Sequence, residues 1–172
     1  MYIDTLTFKI FDIKYGWIFA VIETETGEIV LSNSYLGGLQ MPKIFLKAMS
    51  ELLSNHEHEK WLSWYGESNS YIWHLIIKNE LLELVIYDLD SSLVLPLEGK
   101  ALSKYLVPSK TLLKVNVSLL LFAQSVCEAF KFYSFGEGYD IWQNSKYKDM
   151  FPREELSRLR KILRQTDIIC FK

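Results

Sequence analysis

A chain of 172 residues with 49% hydrophobic and 15% aromatic content can bury one good core but not two, so a single domain over residues 1–172 is expected. That composition excludes disorder, and a net charge of −2 argues against a nucleic-acid binder or a protein drawn to anionic membranes. Cys127 and Cys170 both stand among apolar neighbours, which suits reduced, buried thiols of a cytoplasmic protein better than a disulfide framework.

The N-terminus shows no basic segment followed by an apolar run, and the longest apolar run, 117–123, is interrupted by a serine and too short to span a membrane. Residues 6–13, "LTFKIFDI", alternate imperfectly as a strand; Tyr15-Gly16 turns the chain, and Trp17–Thr24 returns. Glu25-Thr26-Gly27 reads as a three-residue hairpin loop, setting Thr24 opposite Glu28, Ile22 opposite Val30 and Val21 opposite Leu31. A third strand follows. "GGLQMP" breaks the pattern, and Pro42 suits the first turn of a helix. Ile44, Phe45, Ala48, Met49, Leu52 and Leu53 form its apolar stripe, with Lys43, Lys47, Ser50, Glu51 and Ser54 on the wet side.

Strands are expected at 58–66, 71–78 and 81–88. Asn79-Glu80 makes a two-residue turn that places Ile77 opposite Leu82, Leu75 opposite Leu84 and Trp73 opposite Ile86. Those six share a face that must be core. The other face, with Ile72, His74, Ile76, Glu83, Val85 and Tyr87, is mixed and half-wet. A connection over 89–109 carries Pro96, Gly99 and Pro108 and is pinned by Leu93, Val94, Leu95 and Leu97. After a strand at Leu112–Val117, a buried helix is expected over 119–135, ended by Gly136 and Gly138. The last helix opens at Pro152, with Glu154 and Glu155 early and Arg158, Arg160, Lys161 and Arg164 late, as the helix dipole and a Glu154–Arg158 pair favour. "DIICFK" reads as an edge strand or an apolar tail. The fold class is α+β, a mainly antiparallel sheet of six to seven strands with two to three helices packed on one face.

For chemistry, "NHEHEKW" concentrates ligand-type side chains. His56 and His58 would point the same way on an extended segment, with Glu51 or Glu83 as a third ligand, and metal-assisted hydrolysis is the alternative function. The spacing lacks the HExxH pattern, so a solvated connector after a helix is preferred and no metal or cofactor is expected. His74 with Glu83 could make an acid–base pair, but no nucleophile motif accompanies it. The serines of "LSNSYLGG" lack a nucleophile elbow, and Gly136-Glu-Gly138 follows a helix rather than a strand.

Two aromatic stretches favour binding over catalysis. In "EKWLSWYGESNSYIW", alternation puts Trp61 and Tyr65 on one face and Leu62 with Trp64 on the other. Trp64 and Tyr65 are the expected anchors of a protein-binding face, and Glu57, Glu59 and Glu67 its charged rim. In "SFGEGYDIWQNSKYKDMFPREEL", Tyr139, Trp142, Tyr147 and Phe151 either plug a gap between two helices or extend that face, with Trp142 as its candidate. The texture of "NSYLGGL", "YGES" and the glycine–tyrosine–tryptophan–"FP" ending resembles small bacterial proteins, some of which look like immunity proteins. The resemblance implies a compact cytosolic binder without catalysis; for an acidic face built on Glu57, Glu59 and Glu67, a nuclease toxin with a basic cleft is the natural complement.

Overall fold

A computed structural model describes residue 3 and residues 5–89, 93–107 and 109–170, the last four by backbone alone. Strands β1 (Leu6–Lys14), β2 (Trp17–Thr24) and β3 (Gly27–Ser34) form one antiparallel sheet in chain order. Strands β4 (Glu59–Tyr65), β5 (Ser70–Lys78), β6 (Leu81–Asp88) and β7 (Lys110–Val117) form a second. Between the sheets run a single helical turn α1 (Tyr35–Gly38) and helix α2 (Met41–Leu53); after β7 come α3 (Leu119–Phe132), α4 (Gly136–Gln143) and α5 (Arg153–Cys170).

Local chemistry explains the hairpins. Tyr15 (φ 52°) and Gly16 (φ 84°) close β1–β2 in a turn with both central residues left-handed, the form that matches strand twist. Gly16 is needed twice over, since a Cβ there would sit 2.4 Å from the Tyr35 ring. Asn79 (φ 50°) and Glu80 (φ 66°) close β5–β6 the same way, and Ile77, Leu75 and Trp73 face Leu82, Leu84 and Ile86 as their pattern requires. The β2–β3 hairpin differs from expectation by one residue: Thr24 pairs with Gly27, Ile22 with Ile29 and Val21 with Val30. Its loop is the two residues Glu25-Thr26. The Thr24 hydroxyl accepts from the Thr26 amide (3.3 Å) and donates to the Gly27 carbonyl (3.0 Å), work the three-residue reading gave to glycine.

The expected single sheet is split in two. At the β3/β4 seam a side chain replaces backbone pairing: Asn33, 1% exposed, accepts from the Tyr65 amide at 3.3 Å through Oδ1. Its Nδ2 donates to the Gly38 carbonyl (2.9 Å) and the Tyr147 hydroxyl (3.1 Å), and that hydroxyl donates to the Asn33 carbonyl (2.8 Å). Asn33 thus joins β3, α1, β4 and the segment after α4. The inner faces of both sheets still share one core with α2 and α3, centred on Phe8, Phe45, Trp64, Trp73 and Phe122. The α2 stripe is wider than expected, taking in Met41 and Leu46 fully and even Ser50, whose hydroxyl donates to the Leu46 carbonyl.

Helices do not cover every face. The outer face of β4–β6 is roofed by the connection after β6: Leu89, Leu95 and Leu102 pack on Trp61 and Ile72. The Ser63 amide and hydroxyl bond the Leu97 and Pro96 carbonyls (2.9 and 2.7 Å), and a 3-10 helix over Lys100–Tyr105 carries Leu102. Of the expected pins, Leu95 is buried and Leu97 partly so, while Leu93 and Val94 are exposed; Pro108 lies outside the described residues. β1 is an edge, sealed by α3: the Ser125 hydroxyl accepts from the Phe8 amide (2.6 Å) and donates to the Phe8 carbonyl (3.1 Å). The stretch read as one long helix breaks at Tyr133, and α4 starts at Gly136 with φ 57°. "DIICFK" continues α5 through Cys170, so the expected edge strand is replaced by helix; Phe171 and Lys172 lie outside the described residues.

Candidate functional site

The expected binding face is not assembled. Trp64 is 3% exposed and wedged against Phe8, Phe45 and Trp73, because it shares the Leu62 side of β4, and that side is core. Trp142 is fully buried: its indole N–H donates to the Tyr147 carbonyl at 2.7 Å, and its ring meets Phe130, Tyr133 and Phe151. The second aromatic stretch is therefore the plug between helices, and neither tryptophan is an accessible anchor. Tyr65 is half-buried over Gly37, where an added Cβ would lie 2.6 Å from its ring.

The acidic rim is dispersed. Glu59 and Glu67 flank opposite ends of β4, and the six steps of that strand alone span roughly 20 Å. Each carboxylate has its own partner. Glu57 lies 3.9 Å from Lys60, and Glu67 accepts from the Ser34 hydroxyl at 3.2 Å. Glu59 is the most engaged. His74 Nε2 stands 2.9 Å from its Oε1, the Trp61 indole N–H donates to the same oxygen (3.1 Å), and Lys100 lies 3.4 Å from Oε2. The Trp61 ring stacks on His74 at 3.8 Å. The His74 hydrogen bond leads the causes that hold the Glu59 carboxyl below its usual range, against a smaller opposing push from burial. Sequence spacing offered Glu83 as the partner of His74; cross-strand pairing of Trp61 with His74 brings Glu59 there instead. Lys100, at the start of the 3-10 helix of the roof, approaches this set from solvent.

His56 and His58 are both exposed on the connector after α2, where Asn55 takes φ 54°. The two carboxylates proposed as a third ligand are occupied: Glu51 lies 2.6 Å from Lys60, and Glu83 lies 2.7 Å from Lys78, which holds the Glu83 carboxyl low. Among the described residues no group of three or more His, Cys, Asp or Glu gathers to hold a metal. Cys127 is free and buried in α3, its thiol pushed up to about 11 by burial and disfavoured as a nucleophile; the side chain of Cys170 is outside the described residues. No helix is long and apolar enough to cross a membrane, among the described residues.

A second group of rings lies on the other sheet, with Phe11 exposed and Trp17 and Phe19 partly buried. On the outer face of β1–β2, Trp17 stacks on Phe19 (6.0 Å, 21°), Phe19 meets Phe11 (6.1 Å), and the Lys14 ammonium stands 5.8 Å over Phe19. Phe11 is the residue skipped by a β-bulge between Ile10 and Asp12, which turns it outward to 56% exposure. It borders a groove of ≈ 620 Å³ between β1 and α3 that Leu121 and Phe132 also line. A second hollow joins Phe11 and Phe132 to Ile141 of α4. Phe11, Leu121, Phe132 and Ile141 are each exposed by 42% or more. Six large apolar side chains from β1, β2, α3 and α4 thus make one continuous ledge. The bulge was the missed signal: "TFKIFDI" places Phe8, Ile10 and Ile13 in the core, which is possible only if one residue between them is skipped.

Comparison with protein-family models, with curated proteins and with solved structures finds no match for this chain.

Proposed function

We propose that the protein is a non-catalytic protein-binding module whose contact surface is the aromatic ledge around Phe11. The supporting observation is continuity: Phe11, Phe132, Leu121 and Ile141 are exposed, Trp17 and Phe19 are partly so, and together they connect four elements. A connected apolar surface of this kind is characteristic of an interaction site, and ring-rich, rigid side chains are what interface centres are built from. Neutralisation of a bacterial toxin, the activity implied by the resemblance to immunity proteins, is the specific form we propose for this binding.

The test is affinity capture from source-cell lysate with the wild type and a Phe11→Ser, Phe132→Ser double variant, followed by binding kinetics on the captured partner. The variant is expected to fold normally and to release the partner at least tenfold faster, the scale set by losing buried ring anchors. An unchanged dissociation rate places the contact elsewhere. If the partner arrests growth and co-expression of the wild type, but not the variant, restores it, the toxin reading holds; a partner without toxicity removes it.

A further inference from the structure

α3 separates two grooves of opposite character. One is the apolar groove against β1; the other, ≈ 430 Å³, lies against α5 and is lined by Gln124, Cys127, Lys131, Arg160, Leu163 and Arg164. On the outer side of α5, Lys161 joins Arg160 and Arg164 along an adjoining hollow. We infer that the α3–α5 groove is a carboxylate-binding subsite, and that the partner segment docking here is an acidic amphipathic helix lying along α3. This rests on the protein-binding reading and names the chemistry of the partner.

The first argument is the distribution of unsatisfied charge. Glu23, Glu51, Glu57, Glu59, Glu83 and Glu128 each have a basic partner. Among the described residues no ion pair engages Arg158, Arg160, Lys161 or Arg164, and the expected Glu154–Arg158 pair is not formed. Arg160 and Arg164 are one helical turn apart, where like charges repel, so the isolated protein carries a strain that a bound anion relieves. Two guanidinium forks on one wall suit bidentate recognition of carboxylates. Arg160 and Lys131 line the same groove as Cys127 and Glu128, and Lys131 is paired with Glu128 at 2.9 Å.

The second argument concerns the shape of the occupant. At the middle of the β1 edge the Phe8 amide and carbonyl are taken by the Ser125 hydroxyl and the Ile10 carbonyl by the Tyr133 hydroxyl, which disfavours entry by adding a strand there. Leu121 and Phe132 line one side of α3 and Arg160 and Arg164 the groove on its other side, so a helix lying along the α3 ridge would turn leucines to the first and carboxylates to the second. Glu128, which lines both grooves, would repel an unbroken phosphate backbone running across α3 but leaves room for discrete carboxylates.

Three dye-labelled probes test this by fluorescence anisotropy. The first is a helical peptide of about 20 residues with leucines on one face and glutamates flanking them; the second has lysine for every glutamate; the third is a single-stranded oligothymidylate of similar length. The wild type is expected to bind the glutamate peptide, and Arg160→Glu with Arg164→Glu to weaken it at least tenfold and to prefer the lysine peptide. The inference is overturned if charge reversal leaves the affinity unchanged, if the oligothymidylate binds more tightly, or if no probe binds. Loss of binding in Phe11→Ser, Phe132→Ser with no effect of charge reversal removes the subsite but leaves the ledge. The opposite pattern keeps the subsite and removes the ledge.

Discussion

The outer faces of the two sheets begin alike and end differently. Both carry a tryptophan on an outward position, Trp17 on β2 and Trp61 on β4, each stacked on a neighbouring ring. Trp61 ends 9% exposed because the chain after β6 returns as a roof, brings Leu95 and Leu102 onto it, and is fastened by the Ser63–Leu97 and Gly99–Trp61 backbone bonds. Over Trp17, Phe19 and Phe11 no described segment returns. Equal apolar patterning therefore does not mean equal burial; what decides is whether a later segment supplies both the cover and its fastenings. The face without a cover is the one on which we place the proposed contact.

The comparison breaks most severely at the seam between the sheets. Asn33→Ala is expected to destabilise by about 3 kcal/mol or more, since each buried partner it strands, among them the Tyr65 amide and the Gly38 carbonyl, costs on the order of 1–3 kcal/mol. Urea unfolding measures it, and a loss below about 1 kcal/mol would mean the seam relaxes onto other partners. Next is the roof. Leu102→Ala should cost about 2–5 kcal/mol as a buried leucine, whereas Phe11→Ser on the open face should stay within about 0.5 kcal/mol. Similar midpoints for those two variants would erase the distinction between the faces.

The Glu59–His74 contact gives a smaller, pH-dependent effect. Glu59 has a folded pKa below its unfolded one, chiefly through His74, so its contribution is present at neutral pH and disappears as pH falls through the folded value. Glu59→Gln should then lower stability at pH 7 and flatten its decline in acid; an acid limb parallel to that of the wild type would exclude Glu59 as the group concerned. The smallest expected effect is a gain. Glu80 at φ 66° carries a left-handed strain that glycine lacks, so Glu80→Gly should stabilise by about 0.5–1 kcal/mol, read from the same unfolding curves. No gain would mean that the greater freedom of glycine in the unfolded chain cancels the relief.

The legible parts of this sequence were those where two local signals agreed. In β5–β6 the turn residues Asn79-Glu80 and the alternation of Trp73, Leu75 and Ile77 demand the same register, and that register is found. In β2–β3 the pattern alone allowed either of two neighbouring registers, and a threonine hydroxyl selected between them. The split of the sheet could not be read, because it turns on one asparagine reaching partners as far away as Tyr147. The burial of the expected anchors was missed for a related reason. Rings in "WLSWYGESNSYIW" looked available because the roof that covers Trp61 and the helix that covers Trp64 lie far off in sequence, while the bulge that exposes Phe11 leaves no mark in composition.

Ser125 has a consequence for how the molecule behaves in a crowd. One hydroxyl takes both the amide and the carbonyl of Phe8, and the Tyr133 hydroxyl donates to the Ile10 carbonyl (3.3 Å), so the aromatic ledge can be sticky while the middle of the β1 edge is a poorer template. Strand-to-strand polymerisation needs both an attractive surface and vacant backbone groups; here the first is kept and the second reduced. Ser125→Ala, no larger than serine and mute in hydrogen bonding, would unlock the Phe8 part of that edge next to exposed phenylalanines, and concentration-dependent light scattering should register more oligomer growth than in the parent protein.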